Sequence, residues 1–157
     1  MKNKYILILS LLSTGLLAGA FFYGTLNVIP ALYDVPIDVH LKYRVPLMNH
    51  NAVYMQLLTA IAIIAPVWLA IISKQIIRQR IYAFSAGAAA LISILVTRIG
   101  NVPINHLMRT WNATEAPANW PGILHQWDIY NYIRTGFAIT SFVLIVIASQ
   151  VKENRNT

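Results

Sequence analysis

The chain has 157 residues, of which 57% are hydrophobic and only 11% are charged. An ordinary soluble domain has about 25% charged residues, and a small soluble fold cannot hide this much apolar area from water. The composition therefore excludes a water-soluble enzyme, a disordered chain and a nucleic-acid-binding protein. The net charge of +7 instead indicates Lys and Arg kept on the cytoplasmic side of a membrane. Because the chain has no cysteine, disulfides and zinc–thiolate sites are excluded as well.

Four apolar segments are long enough to cross a bilayer. A membrane-spanning helix needs about 20 mostly apolar residues, because a rise of about 1.5 Å per residue must cover about 30 Å of hydrocarbon. The segments of this length are residues 5–26, 52–72, 81–99 and 132–151. We therefore predict an all-α integral membrane protein, a four-helix bundle in which residues 1–157 form one membrane domain.

The first segment also has features of a cleaved signal peptide. Lys2 and Lys4 precede it, and the Ala-Gly-Ala at residues 18–20 resembles a cleavage site. We favour a retained span, because the apolar run continues through residues 21–23. It is then longer than the apolar region of about 7–15 residues in a signal peptide.

The charges predict the orientation of the chain. The two termini and the short link at residues 73–80 carry seven basic residues and one acid: Lys2, Lys4, Lys74, Arg78, Arg80, Lys152 and Arg155 against Glu153. The other side carries five basic residues and four acids: Lys42, Arg44, Arg98, Arg109 and Arg134 against Asp34, Asp38, Glu115 and Asp128. The positive-inside rule places both termini in the cytoplasm, in the cell membrane, with two long outer loops at about 27–51 and 100–131.

The long-loop side also holds all four histidines: His40, His50, His106 and His125. This gathering of polar chemistry predicts a functional site at one end of the bundle. The alternative is that these connections are polar only because they are long and solvated.

The first candidate segment follows the third span and contains Arg98, Asn101, Pro103, Asn105 and His106. An ionisable group at the membrane boundary is costly unless it is paired or faces a cavity. The asparagine amides can satisfy backbone groups freed by the proline, or a ligand. The alternative is an arginine that extends to the interface, with asparagines that cap the helix end.

The second candidate segment enters the fourth span. On a helix, Trp127, Asn131 and Arg134 share one face, and the guanidinium then lies about a turn inside the membrane. A buried guanidinium favours a carboxylate partner, for which Asp128 and Asp38 are the candidates. The alternative is an aromatic belt at the membrane interface, with Arg134 extended outward.

A third candidate lies where the second span begins: Asn49, Val53 and Gln56 share a helical face, so the polar groups of Asn49 and Gln56 enter the membrane there. The alternative is a hydrogen bond from Gln56 to a neighbouring helix.

A metal is not required by the sequence. The imidazoles with Asp128 are chemically adequate for iron, copper or zinc, but the chain has no HExxH motif and no other strong ligand spacing. The cofactor is left unknown.

Three features together resemble the anthrone-oxygenase-like family of small four-helix membrane proteins. They are Asn-Val-Ile-Pro at residues 27–30, Asn-Val-Pro-Ile-Asn at residues 101–105, and the tryptophan-led segment at residues 127–135. The resemblance implies an integral membrane protein and, for some members, oxidation of anthrones to anthraquinones. Most members have no assigned reaction, so the resemblance assigns no role to any residue here.

We therefore predict an oxidoreductase or oxygenase that acts on an apolar aromatic or quinol-like molecule taken from the bilayer. The predicted substrate-binding residues are Arg98, Asn101, Asn105, Trp127, Asn131 and Arg134. The predicted catalytic residues are His106 or His125 as the proton acceptor, with Asp128 orienting His125.

Two alternatives come from other classes of protein. A non-catalytic membrane subunit or scaffold, or a homo-oligomer, is favoured by the GxxxG at residues 15–19 and the small residues at 86–90, which let helices pack closely. A small-molecule carrier is disfavoured, because the chain has neither an inverted repeat nor an acid inside a span.

Overall fold

The computed structural model describes residues 2–111 and 116–151, and no strand occurs within these two ranges. Its elements, in chain order, are α1 (Lys2–Tyr23), the π-helical turn π1 (Gly24–Val28), α2 (Ile29–Tyr33), α3 (Ile37–Ile72), α4 (Ile77–Val96), the π-helical turn π2 (Thr97–Asn101), α5 (Val102–Thr110) and α6 (Trp120–Gln150). The predicted all-helical class is confirmed.

Four helical stretches are long and apolar enough to cross a membrane: Lys4–Tyr33, Val53–Ile72, Ile77–Thr110 and Trp120–Gln150. They overlap the four segments predicted from hydropathy, and three of them extend well beyond those segments. The prediction of two long loops is wrong for most of residues 27–51 and 100–131, because these links continue as helix on both sides. The prolines in these links lie near helix starts or inside α3 and do not end the helices.

The four long helices pack through small side chains. Helices α1 and α4 each pack against both α3 and α6. Ala62, Ala90 and Ala138 are fully buried where these helices meet, together with Leu17 and Ala18. Small residues let helix backbones approach closely, which compensates for the lack of a hydrophobic driving force inside a bilayer.

Large apolar side chains cover the outside of every long helix. Leu16, Tyr54, Phe84 and Ile99 are each more than half exposed, in company with many other Leu, Ile and Val side chains. A continuous exposed apolar surface of this kind fits contact with lipid tails.

Both π-helical turns precede a proline by the same short distance. In π1 the N–H of Ile29 bonds to the carbonyl of Gly24, and in π2 the N–H of Val102 bonds to the carbonyl of Thr97. Each bond reaches back five residues instead of four, and a proline follows each donor directly. A proline ring clashes with the carbonyl four residues earlier, so the wider turn gives that carbonyl room.

The second π turn also lies tightly against α6. Gly100 is buried, and a Cβ atom built on it would overlap the aromatic ring of Tyr130. Gly15 of the GxxxG pair has a looser contact, with Phe142 at 3.1 Å from an added Cβ, whereas Gly19 has nothing within 4 Å. Close approach is therefore required at Gly100 more than at the predicted GxxxG pair.

We expect Gly100→Ala to lower the free energy of unfolding by about 1–3 kcal/mol, because the ring of Tyr130 or the α6 backbone must move. Thermal unfolding in a nonionic detergent, followed by circular dichroism, measures the change. The matched control is Gly136→Ala, where an added Cβ meets nothing within 4 Å. There the higher helix propensity of alanine should leave stability unchanged or raised by up to about 1 kcal/mol. Equal effects of the two substitutions would contradict this packing.

Candidate functional site

A cavity of about 650 Å³ lies at the end of the protein that contains the two π turns. Every helix and both π turns contribute to its wall. Its apolar wall includes Phe21, Met48 and Met55. Its larger polar side chains are Arg44, Gln56, Arg98, Asn105, His106, Arg109, Asn131 and Arg134. A largely apolar cavity between helices that also has polar side chains in its wall is the usual form of a small-molecule site.

The structure brings six of the nine predicted site residues to this cavity: Arg98, Asn105, His106, Trp127, Asn131 and Arg134. The other three lie outside its wall. Asn101 and Asp128 are buried behind it, and His125 is exposed near the start of α6.

Arg134 lies inside the protein and is held by neutral partners. Its Nε donates to Asn131 Oδ1 at 2.8 Å. Its guanidinium carbon lies 4.4 Å from the centre of the Phe21 ring. The predicted pairing with Asp128 or Asp38 is wrong: Asp38 pairs with Lys42, and no carboxylate among the described residues forms an ion pair with Arg134.

A chain of hydroxyl groups fixes the orientation of Asn131. Thr135 Oγ1 donates to the backbone carbonyl of Asn131 at 2.7 Å. Asn131 Nδ2 donates to Thr25 Oγ1 at 2.7 Å, and the two threonine hydroxyls lie 2.9 Å apart. Because the single hydroxyl proton of Thr135 is already donated to the Asn131 carbonyl, the Thr25 hydroxyl donates to Thr135. The carbonyl oxygen of the Asn131 amide is thereby directed at Arg134.

Trp127 is held at both its ring and its backbone. The ring Nε1 donates to Asn105 Oδ1 at 2.7 Å, and the backbone carbonyl accepts from Asn101 Nδ2 at 3.0 Å. The tryptophan is 7% exposed, so the alternative of an interfacial aromatic belt does not describe it. Asn101 thus acts on the cavity only through the position of Trp127.

Two guanidinium groups lie close to the indole ring of Trp127. The Arg44 carbon lies 4.2 Å from the ring centre, and the Arg134 carbon lies 5.4 Å from it. Cation–π contacts of this kind are strengthened where water is excluded.

Arg44 joins a buried polar cluster behind the cavity. Its Nη1 donates to His40 Nε2 at 3.0 Å, and its Nη2 lies 3.7 Å from Asp128 Oδ1. The other Asp128 oxygen accepts the Tyr33 hydroxyl at 2.5 Å. Tyr33 and Arg44 are thus the partners of Asp128, and no hydrogen bond joins it to His125 among the described residues. The orientation of His125 by Asp128 stays a prediction.

Sequence reasoning missed this cluster. The sequence predicts an outer loop for Arg44 and a costly membrane position for Arg98, whereas Arg44 is 2% exposed and Arg98 is exposed. One signal was available, since His40 and Arg44 are four residues apart and share a helical face. Nothing in the local sequence indicates that this face is buried.

The cluster fixes the protonation of His40. An arginine donates only, so His40 Nε2 accepts and the ring is neutral, with its proton on Nδ1. Burial, and then the positive charge of Arg44, lower the pKa of His40 from 6.5 to about 4. Burial also lowers the pKa of Arg44, and the Asp128 carboxylate opposes that change.

Among the described residues, no group of three or more His, Asp or Glu side chains is placed to hold a metal ion.

The comparison with known families identifies the family of the chain. The sequence profile of the anthrone oxygenase family matches residues 46–144. The chain belongs to the anthrone oxygenase family. The matched range includes two of the three features that carry the resemblance, at residues 101–105 and 127–135. It begins after the remaining feature, at residues 27–30. No curated protein and no solved structure matches the chain significantly.

We expect the protein to lose stability as the pH falls from about 6.5 to about 4. In this window an unfolded histidine binds a proton, whereas folded His40 does not until about pH 4, so acid favours the unfolded state. The loss reaches at most about 3 kcal/mol, and above pH 6.5 the contribution of His40 is constant.

Thermal unfolding of the wild type and His40→Gln between pH 4 and pH 8 measures this contribution. Glutamine keeps an acceptor for Arg44 but does not titrate, so the variant should show a shallower loss of stability in acid. Parallel curves for the two proteins would show that His40 does not cause the acid sensitivity.

Proposed function

We propose that the protein is a membrane oxidoreductase that uses dioxygen to oxidise an apolar aromatic or quinol-like molecule bound in the cavity. Family membership supports the reaction class. The observation that carries the proposal is the cavity itself, where Asn105, His106 and Arg134 line one apolar space. A substrate of this kind dissolves in the bilayer and enters between the helices.

The chemistry requires a base and a site for an anion. An anthrone has a methylene group between two aromatic rings, and loss of one proton gives an enolate. The carbanion form reacts with dioxygen to make a carbon–oxygen bond, and the resulting hydroperoxide loses water to give the quinone. The methylene carbon is oxidised by four electrons, and dioxygen is reduced by four, with one oxygen atom in the product and one in water. A quinol instead loses two electrons and two protons, and dioxygen takes them up to leave as hydrogen peroxide.

The cavity residues suit these steps. We assign proton acceptance to His106, because it is the histidine in the cavity wall. Arg134 and the Asn105 amide hold the enolate oxygen, where preorganised donors stabilise developing negative charge. The Asn105 carbonyl already accepts from Trp127, so its amino group is the part that faces a ligand. Asn131 positions Arg134.

We expect purified protein to accelerate the aerobic oxidation of an anthrone or a quinol, measured by product absorbance. Replacing His106 with alanine should lower the rate by about 10²–10⁴-fold, as for loss of a general base. Arg134→Gln should lower it by about 10²–10³-fold, as for loss of an oxyanion donor.

The matched controls are His50→Ala and Arg80→Gln, which change exposed side chains outside the cavity wall. Both should keep the wild-type rate. Equal rates in all variants and in protein-free detergent would reject the enzyme and favour a non-catalytic membrane subunit.

We further propose that the protein lies in the cell membrane with both termini and the α3–α4 link in the cytoplasm. The basic residues of that link support this orientation. Because the chain has no native cysteine, single-cysteine variants report the sides without background.

We expect a membrane-impermeant maleimide to label Asn119→Cys in intact cells and to label Lys74→Cys only after permeabilisation. Both wild-type side chains are exposed, so neither substitution disturbs packing. The reverse pattern of labelling would invert the proposed orientation.

A further inference from the structure

The charged side chains of the cavity wall are all positive. Four arginines line it, Arg44, Arg98, Arg109 and Arg134, and no acidic side chain among the described residues does. A single exposed arginine is ordinary, but four facing one small apolar space repel one another and lower the local cost of a negative charge.

Arg44 lines this space and is only loosely paired. It is 2% exposed, and its Nη2 has no hydrogen-bond partner among the described residues. Asp128 Oδ1 lies 3.7 Å from Nη2, which is within ion-pair distance but too far for a hydrogen bond. This is the one ion pair of Arg44 among the described residues, so its guanidinium has capacity for a second anion.

Arg134 adds a second charge that the protein does not neutralise. It is bonded to Asn131 through Nε alone, and it stacks on the same indole as Arg44. An ionisable group at membrane depth is costly unless it is paired or faces a cavity that holds its partner. The excess positive charge therefore lies deep in the cavity and is not confined to its exposed arginines.

We infer that the cavity binds an anionic amphiphile, with a carboxylate or phosphate group held by Arg44 and Arg134 and an apolar body against Phe21, Met48 and Met55. Guanidiniums suit both oxyanions, because two parallel N–H groups match two oxygens. The inference depends only on the cavity and stands whether or not the protein oxidises its ligand.

The first test compares 2-naphthoate with 2-naphthamide, which share one apolar body and differ in charge. Binding is measured by equilibrium dialysis in a nonionic detergent at pH 7.5, with protein-free micelles as the blank for partitioning. We expect the naphthoate to bind about 10–100-fold more tightly, as for hydrogen bonds to a charged group. Neither probe has a methylene group to oxidise, so the result is independent of the proposed reaction.

Arginine variants locate the binding site. In Arg134→Gln the preference for naphthoate should fall to less than threefold, whereas the exposed control Arg80→Gln should keep it. If Arg134→Gln does not fold, as judged by circular dichroism, the double change Arg98→Gln and Arg109→Gln replaces it. Both of those side chains are exposed, and the preference should fall by several-fold. Equal affinity for the two probes in the wild type, or a preference unchanged in the arginine variants, would overturn the inference.

A second arm identifies the source of the anion. The protein is placed in nanodiscs of phosphatidylcholine with or without phosphatidylglycerol, and naphthoate binding is measured again. Displacement of naphthoate by phosphatidylglycerol, lost in Arg134→Gln, would show that an anionic lipid headgroup occupies the site. Undiminished naphthoate binding in both nanodiscs would show that the site takes a smaller anionic amphiphile. Either result supports the inference, and absence of naphthoate binding in phosphatidylcholine alone would overturn it.

Discussion

The position of two guanidiniums on one indole ring is the constraint on which this end of the protein depends. Arg44 and Arg134 both contact Trp127 inside an apolar bundle, where a charge without partners is costly. Each therefore has its own set of polar neighbours, contributed by different helices. The partners of Arg44 are His40, Asp128 and, through Asp128, Tyr33, and those of Arg134 are Asn131 and, through it, Thr25 and Thr135. These hydrogen bonds and the ion pair with Asp128 connect α2, α3, α6 and the first π turn.

The two π turns supply the geometry that this arrangement needs. Thr25 lies in the first turn and Asn101 in the second, and each bonds to a residue of α6. The prolines that follow both turns explain why the backbone widens there, and the widened turns border the cavity. The π turns, which are rare within helices, thus occur at the positions where Thr25 and Asn101 turn inward.

Hydropathy and charge predicted the membrane helices because lipid selects composition directly. Six of the nine predicted site residues line the cavity, because polar groups are rare in such a chain. The partners of those residues could not be predicted in the same way. Tyr33 and Asp128 are separated by 95 residues, so only tertiary packing brings them together. The segment before residue 52 is polar enough to resemble a loop, yet one of its faces is buried. The local sequence shows which residues share that face, but it does not show that the face is buried.

A π turn contains one residue more than the α-helix that would otherwise occupy its place. Loss of a single residue from Thr97–Asn101 would restore regular α-helix within the same turn, so α5 would keep roughly its present orientation relative to the preceding span. Asn105 and His106 would then stay near the cavity wall, whereas side chains inside the turn, Asn101 among them, would change direction. A homologue that aligns with a gap here is accordingly expected to keep the cavity residues of α5 and to lose the hydrogen bond from Asn101 to the Trp127 carbonyl.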